Sequence, residues 1–358
     1  MQIFPPLPLF SRVVVTLCVF FLTGCAASET RTVTNAFYHW QTELDLSDYE
    51  EKFYTDTAAR KLYVKFFDID LQGGQPMPQA VLISGKYKPL PNTAIVPVVF
   101  ITNRTFKNLN EAQINDLAAK TFTKMHSLFA KIPNQKLTEI QFDCDWSQST
   151  KNAYFSFLKA VEEQLPQSEM YLSATIRLHQ IKYAQSTGVP PVQRGMLMYY
   201  NTGNLRDPET ENSILDNKTA ALYLENLSEY PKPLDLALPL FRWGVLFREG
   251  KMIRLLNDLS EDDLQDTLRF QKTDRHRFVV KENTWLAGHY VYRKDKIRLE
   301  SVTAGKLRAA ASRLTPLWNT DDCTLTYYHL DSTAVQHFTP EYLLEIQNVF
   351  RNEEGSRF

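Results

Sequence analysis

The chain has 358 residues, with 40 lysines and arginines against 41 aspartates and glutamates and a formal net charge of -1. That balance excludes the basic stripe with which nucleic-acid-binding proteins meet phosphates, and the length suits one large domain or two ordinary ones. Aromatic residues make up 12% of the chain, enough for a large core and also for surfaces on which flat ligands stack.

The first element is an apolar run from Val13 to Leu22, preceded by Arg12 and followed by Thr23-Gly24-Cys25. A transmembrane helix needs roughly 20 apolar residues, so this run is too short to span a bilayer. A short apolar core before small residues is the pattern of an exported and cleaved segment. Leu22-Thr23-Gly24-Cys25 resembles the bacterial lipobox. The resemblance implies a lipoprotein signal peptide over 1–24, a lipidated Cys25 and a tether over 25–34 that holds the fold to a membrane. Ala26 and Ala27 follow in place of an aspartate, which in Gram-negative bacteria implies the outer membrane, facing the periplasm or the surface. An ordinary secretory signal is the alternative. Inside the fold only Cys144 and Cys323 remain. A disulfide needs their Cα atoms within about 7 Å, and the two thiols are expected to be free.

From residue 35 the chain alternates strand-like apolar runs with longer amphipathic stretches. The strand-like runs are 35–41, 61–71, 95–103, 138–146, 171–180, 195–203, 234–241 and 324–331. Helical spacing of apolar residues fills 110–132, 149–165, 215–230 and 340–352. Alternation of this kind argues for βα units on a parallel sheet, and eight strands predict an α/β fold, the (β/α)8 TIM-type barrel, over 35–358. A doubly wound sheet would want a phosphate-cradling glycine turn after its first strand. Residues 244–322 interrupt the rhythm and read as an insertion between strands seven and eight, on the barrel's catalytic face. It has a helical stretch at 261–270, strand-like pieces at 277–281, 288–292 and 296–302, and a second helical stretch at 304–314.

Side chains of a barrel strand alternate between the interior and the helix layer. On the fourth strand Glu139, Gln141, Asp143 and Asp145 share one face, and Ile140, Phe142, Cys144 and Trp146 share the other. On the fifth, Ser173, Thr175, Arg177 and His179 share a face. Buried charges need partners, so the lower residues are read as an internal ion-pair network. Asp145 and His179, last on their strands, reach the C-terminal mouth where barrel active sites are built. Asp68 and Asp70 add carboxylates on the second strand, and Asp143 completes the candidate catalytic set. Candidate ligand-binding residues at the other strand ends are His39, Trp40, Asn103, Arg177, Tyr199, Asn201, Trp243 and His329. No metal-ligand spacing, serine nucleophile elbow or cofactor motif is present in the sequence.

Phe142-Asp143-Cys144-Asp145-Trp146, Tyr154 to Leu158, Leu172-Ser173-Ala174-Thr175 and the stretch from Met196 to Gly203 resemble an uncharacterised family of bacterial envelope barrels with a glycoside-hydrolase-like fold. A more distant similarity is to the chitinase-type family eighteen hydrolases, whose fourth strand carries Asp-x-x-Asp-x-Asp-x-Glu. Asp143 and Asp145 match its two later aspartates, whereas Ile140 and Ser147 stand where the first aspartate and the acid glutamate belong. The resemblance implies a membrane-anchored protein that acts on or binds a polysaccharide or oligosaccharide at the cell envelope. The alternatives are a non-catalytic glycan or peptidoglycan binder, and an envelope assembly factor that docks a protein partner on the insertion. An exposed apolar patch on the insertion is the feature that would favour docking.

Overall fold

A computed structural model of the chain describes residues 31–352 except 86, 167, 168 and 319. The signal segment expected at 1–24, the cysteine expected to carry lipid, Cys25, and the start of the expected tether lie outside the described residues. Eight parallel strands close on themselves: β1 (Thr32–His39), β2 (Lys61–Gln72), β3 (Ala94–Ile101), β4 (Glu139–Asp143), β5 (Tyr171–Arg177), β6 (Arg194–Met198), β7 (Leu234–Pro239) and β8 (Asp322–Tyr328). β1 pairs in parallel with both β2 and β8, so no barrel edge is left open, and the fold is the TIM-type (β/α)8 barrel. Thr32, Val33 and Thr34, placed in the tether by sequence, pair with Asp322, Cys323 and Thr324 and belong to β1.

The helices follow from local chemistry. Helix α1 (Glu111–Phe129) opens with Asn110, whose side chain accepts from Gln113 N while the Gln113 side chain returns the bond. It buries Ile114, Leu117, Ala118, Met125 and Phe129. Helix α2 (Lys151–Glu162) buries Tyr154, Phe157, Leu158 and Val161, and Phe157 meets Phe142 of β4 edge-on at 5.2 Å. Two expected helices are much shorter. Over 215–230 only Asn217–Ala221 is helical, because Lys182 Nζ takes the Leu222 carbonyl at 2.7 Å and Asn226 bonds out to the Lys182 carbonyl. Over 261–270 a single turn forms at Asp262–Leu264. There Asp263 and Asp266 accept from the backbone N–H of Ser260 and Leu268, an alternative to helical bonding.

Between β7 and β8 the chain builds a five-stranded antiparallel sheet in the order 251–257, 243–248, 296–300, 277–280, 270–272, and a small hairpin of Thr284–Leu286 with His289–Val291. This insertion has a hydrophobic cluster of its own, which includes Leu246, Leu256, Phe270, Phe278 and Ile297. Helix α3 (Ala304–Leu314), read from sequence as part of the insertion, instead contributes Leu307, Ala310, Ala311 and Leu314 to the barrel's core cluster. It contacts α4 (Pro340–Arg351) of the barrel's outer layer. Cys144 and Cys323 are buried free thiols.

Candidate functional site

At the N-terminal end the barrel interior is closed by mutual satisfaction. Glu139 accepts from Lys61 Nζ at 3.0 Å, Tyr171 OH at 2.7 Å, Ser173 Oγ at 2.7 Å and Tyr63 OH at 3.3 Å. The cation in this network is Lys61, and Arg177 lies with Asp143 and Asp145 instead. Gln141 accepts from Tyr38 OH and donates to Ser173. Asp235 pairs with Arg194 at 3.2 Å and accepts from Thr324 N at 2.6 Å; burial pushes its carboxyl up to about 7.

The mouth is different. A cavity of about 520 Å³ opens at the C-terminal ends of the strands. Its floor is a run of touching aromatic rings. Trp40 lies 5.5 Å from Tyr328, Tyr328 lies 5.5 Å from Tyr200 and 5.8 Å from Phe241, and Phe241 lies 5.1 Å from Trp243. Asp68, Asp143, Arg177, Asn201, Asn257 and His329 are among the polar groups around it. A smaller cavity of about 320 Å³ shares Arg177, Tyr200 and Asn201 with the first and adds Asp145 and His179.

Arg177 organises this region. Its Nε donates to Asp145, and its NH2 lies 3.9 Å from Asp143. Burial works against its charge, but the two carboxylates outweigh that, so its pKa stands above the usual guanidinium value. Asp143 accepts from Thr175 Oγ1 at 2.6 Å, and burial, opposed by Arg177, raises its pKa. His179 is held below its ordinary value by burial, with Asp145 opposing. It stands one turn beyond the strand, because β5 stops at Arg177. Gln180 there accepts from Arg177 N at 2.7 Å and donates to the Trp146 carbonyl, which starts the short helix Leu178–Lys182.

Three of the candidate ligand residues and one carboxylate stand elsewhere. His39 is buried and bonds the Glu43 carbonyl through Nε2. Tyr199 is buried away from the cavity while Tyr200 lines it, and the reason is parity. Arg194 pairs with the interior Asp235, so every second residue after Arg194 faces inward, which brings Tyr200 and not Tyr199 to the floor. The same count on β1 brings Tyr38 and Trp40 inward and leaves His39 outside, and on β8 it selects Tyr328. Asn201 reaches the cavity because the strand has ended and its backbone takes a φ of 56°. Asn103 accepts a hydrogen bond from Thr150 and ties two loops together. Asp70 lies where β2 runs past the rim to pair with the strand Gln75–Gln79. It is clamped there by Arg104 and by Thr102 at 2.7 Å, and Arg104 first, then Thr102, holds its carboxyl well below the usual range. Among the described residues no cluster of histidine, cysteine, aspartate and glutamate is arranged to hold a metal ion.

Trp243 is fixed from behind. Its indole N–H donates to Glu300 at 2.8 Å, and Glu300 also accepts from Ser213 N at 2.8 Å, Ser213 Oγ at 2.6 Å and Arg298 Nε at 2.6 Å. This buried carboxylate joins the insertion, the segment after β6 and the cavity wall. Ser147, at the position of the family-eighteen acid, opens the turn into α2: its carbonyl accepts from Lys151 N at 2.9 Å and its N–H donates to Thr150 Oγ1 at 3.0 Å.

No protein-family model matches the chain, and no curated protein matches it in sequence. Solved structures share its fold. The spore cortex-lytic enzyme SleL of Bacillus megaterium QM B1551 is 15% identical, with a TM-score of 0.53 over 90% of this chain and 75% of that one. The spore cortex-lytic enzyme SleL of Bacillus cereus is 14% identical, with a TM-score of 0.54 over 89% of this chain and 75% of that one. A chitinase from Chromobacterium violaceum ATCC 12472 is 13% identical, with a TM-score of 0.50 over 88% and 98%. The barrel is therefore similar to those of chitinase-type proteins.

Proposed function

We propose that the mouth of this barrel binds an oligosaccharide of the cell envelope, and that lipid on Cys25 holds the protein at the membrane. The observation that carries the glycan reading is the continuous aromatic floor from Trp40 to Trp243, bordered by Asp68, Arg177, Asn201 and His329. Sugar rings present apolar faces that stack on aromatics, and hydroxyls that need a few placed polar partners. The chitinase-type fold of the neighbours supports the same ligand class. Binding without hydrolysis in the family-eighteen manner is the reading we favour, because Ser147 stands at the acid position and Asp145 is committed to Arg177.

A second reading is hydrolysis, favoured by Asp143: burial raises its pKa, the direction a proton donor needs. Titration of the purified protein with bacterial, plant and host glycans, with product release followed in the same samples, separates the two. Saturable binding without product, weakened about tenfold or more by Trp243→Ala, supports the binder. Product from the wild type that is lost in Asp143→Asn or Asp145→Asn establishes a hydrolase. No binding to any glycan by the folded protein argues against both readings and favours protein docking on the insertion, where Trp285 (68% exposed), Tyr290 and Tyr292 stand together.

A further inference from the structure

A larger cavity, about 670 Å³, lies beside the mouth between the insertion and the segment that follows β6. Its carboxylates are mostly occupied. Asp274 pairs with Arg277 at 2.9 Å, Glu261 pairs with Lys272, and Glu300 holds Trp243, Ser213 and Arg298. Only Glu211 remains. Its cations are less fully matched: Arg277 is taken by Asp274, but Arg242, Arg275 and Lys306 also line the cavity, and among the described residues only Lys306 of these three feels a nearby carboxylate, Asp216. Arg242 instead donates through Nε to the Asp258 carbonyl at 3.1 Å.

His276 adds a buried Nε2 that has no hydrogen-bond partner. His276 lines the cavity, and burial first, and then Arg277, holds its ring below the ordinary pKa. Arg242, Arg275 and Lys306, set against Glu211 in the lining and Asp216 beside Lys306, leave an excess of positive charge in a partly enclosed space, which attracts an anion. Arg242 also lines the mouth cavity, so the two spaces share this residue as a wall.

We infer that this cavity is a second binding site, which takes an anionic group, a carboxylate or a phosphate ester, carried by a saccharide whose neutral rings lie on the aromatic floor. The saccharide part of the inference rests on the glycan reading of the mouth; the anion part rests on Arg242, Arg275, Lys306 and His276 alone.

The test is calorimetric titration of the full chain with three oligosaccharides of equal length, one neutral, one bearing a uronate and one bearing a phosphate, at low and high salt. Arg275→Ser, Lys306→Ser and the double variant run beside the wild type, with circular dichroism to confirm folding. At low salt an anionic ligand is expected to bind about tenfold tighter than the neutral one. Salt and the double variant should both erase that advantage while affinity for the neutral ligand holds. Which anionic ligand gains identifies the group. Equal affinity for neutral and anionic ligands overturns this inference and leaves the reading of the mouth in place. If no saccharide binds, the reading of the mouth fails and inorganic phosphate decides the cavity. Phosphate-dependent movement of the His276 ring signals in nuclear magnetic resonance, absent from the double variant, upholds an anion site; unmoved signals in the wild type overturn it.

Discussion

The two ends of the barrel hold the same residue types in opposite states. At the N-terminal end Glu139 has donors from Lys61, Tyr63, Tyr171 and Ser173, and Asp235 has Arg194 and a backbone N–H. At the mouth Asp145 is 54% exposed, Asp68 keeps a buried oxygen without a partner, and Arg177 divides itself between two carboxylates. Strands β4 and β5 run through both ends, so residue chemistry alone does not separate structure from site. Completeness of partners does. A closed set of hydrogen bonds spends its polar groups on the fold, and an incomplete set beside a cavity keeps them available to a ligand.

Substitutions can break or sharpen this contrast. The largest effect is expected from Glu139→Ala, which strands a partly buried lysine and three hydroxyls at a cost of about 3–5 kcal/mol in urea unfolding. Next comes the pH dependence set by Asp235. Burial raises its folded pKa from 3.8 to about 7, so the folded state keeps a proton that the unfolded chain releases. Stability should therefore fall as pH rises between those values, by on the order of a few kcal/mol. Asp143 is shifted in the same direction and adds to the slope. Asp235→Asn cannot release a proton, and denaturation curves at pH 4 and pH 7 should lie closer together in the variant; an unchanged gap would remove Asp235 as its source.

At the mouth, Glu300→Gln should weaken oligosaccharide binding several-fold, about 1 kcal/mol, by loosening Trp243, with a shift in tryptophan emission that a purely structural loss elsewhere would not give. Asp145→Asn should change stability by less than about 1 kcal/mol, since Asp145 itself is half exposed and the mostly buried Arg177 keeps Asp143 as a counter-charge. A cost for Asp145→Asn equal to that of Glu139→Ala would falsify the contrast between the ends. Trp285→Ser, on the insertion's outer hairpin, should stay within about 0.5 kcal/mol of the wild type.

Much of this architecture is legible in the order of residues. The eight strands and the long helices announce themselves because each buries a face with a fixed period, 2 or 3.6, and periodicity is a local property. The carboxylates on β4 and the arginine on β5 are legible for the same reason. What tertiary structure decided is which residues leave that pattern and who partners whom. Strand ends are set by contacts from other elements: Gln180 halts β5 so that His179 stands on a helix, and the strand Gln75–Gln79 draws β2 past the rim and takes Asp70 away from the mouth. Parity at β1, β6 and β8 depends on which residue of each strand first points into the interior, and only the pairing of Arg194 with Asp235, and of Tyr38 with Gln141, shows that. The cavity beside the insertion is farther still from the sequence, since Arg242, Arg275 and Lys306 come from segments distant along the chain and meet only because the insertion folds back over the segment after β6. Periodicity belongs to a stretch of chain, whereas completeness of hydrogen bonding belongs to a place in space, and that is why the barrel could be read from the sequence and its mouth only in part.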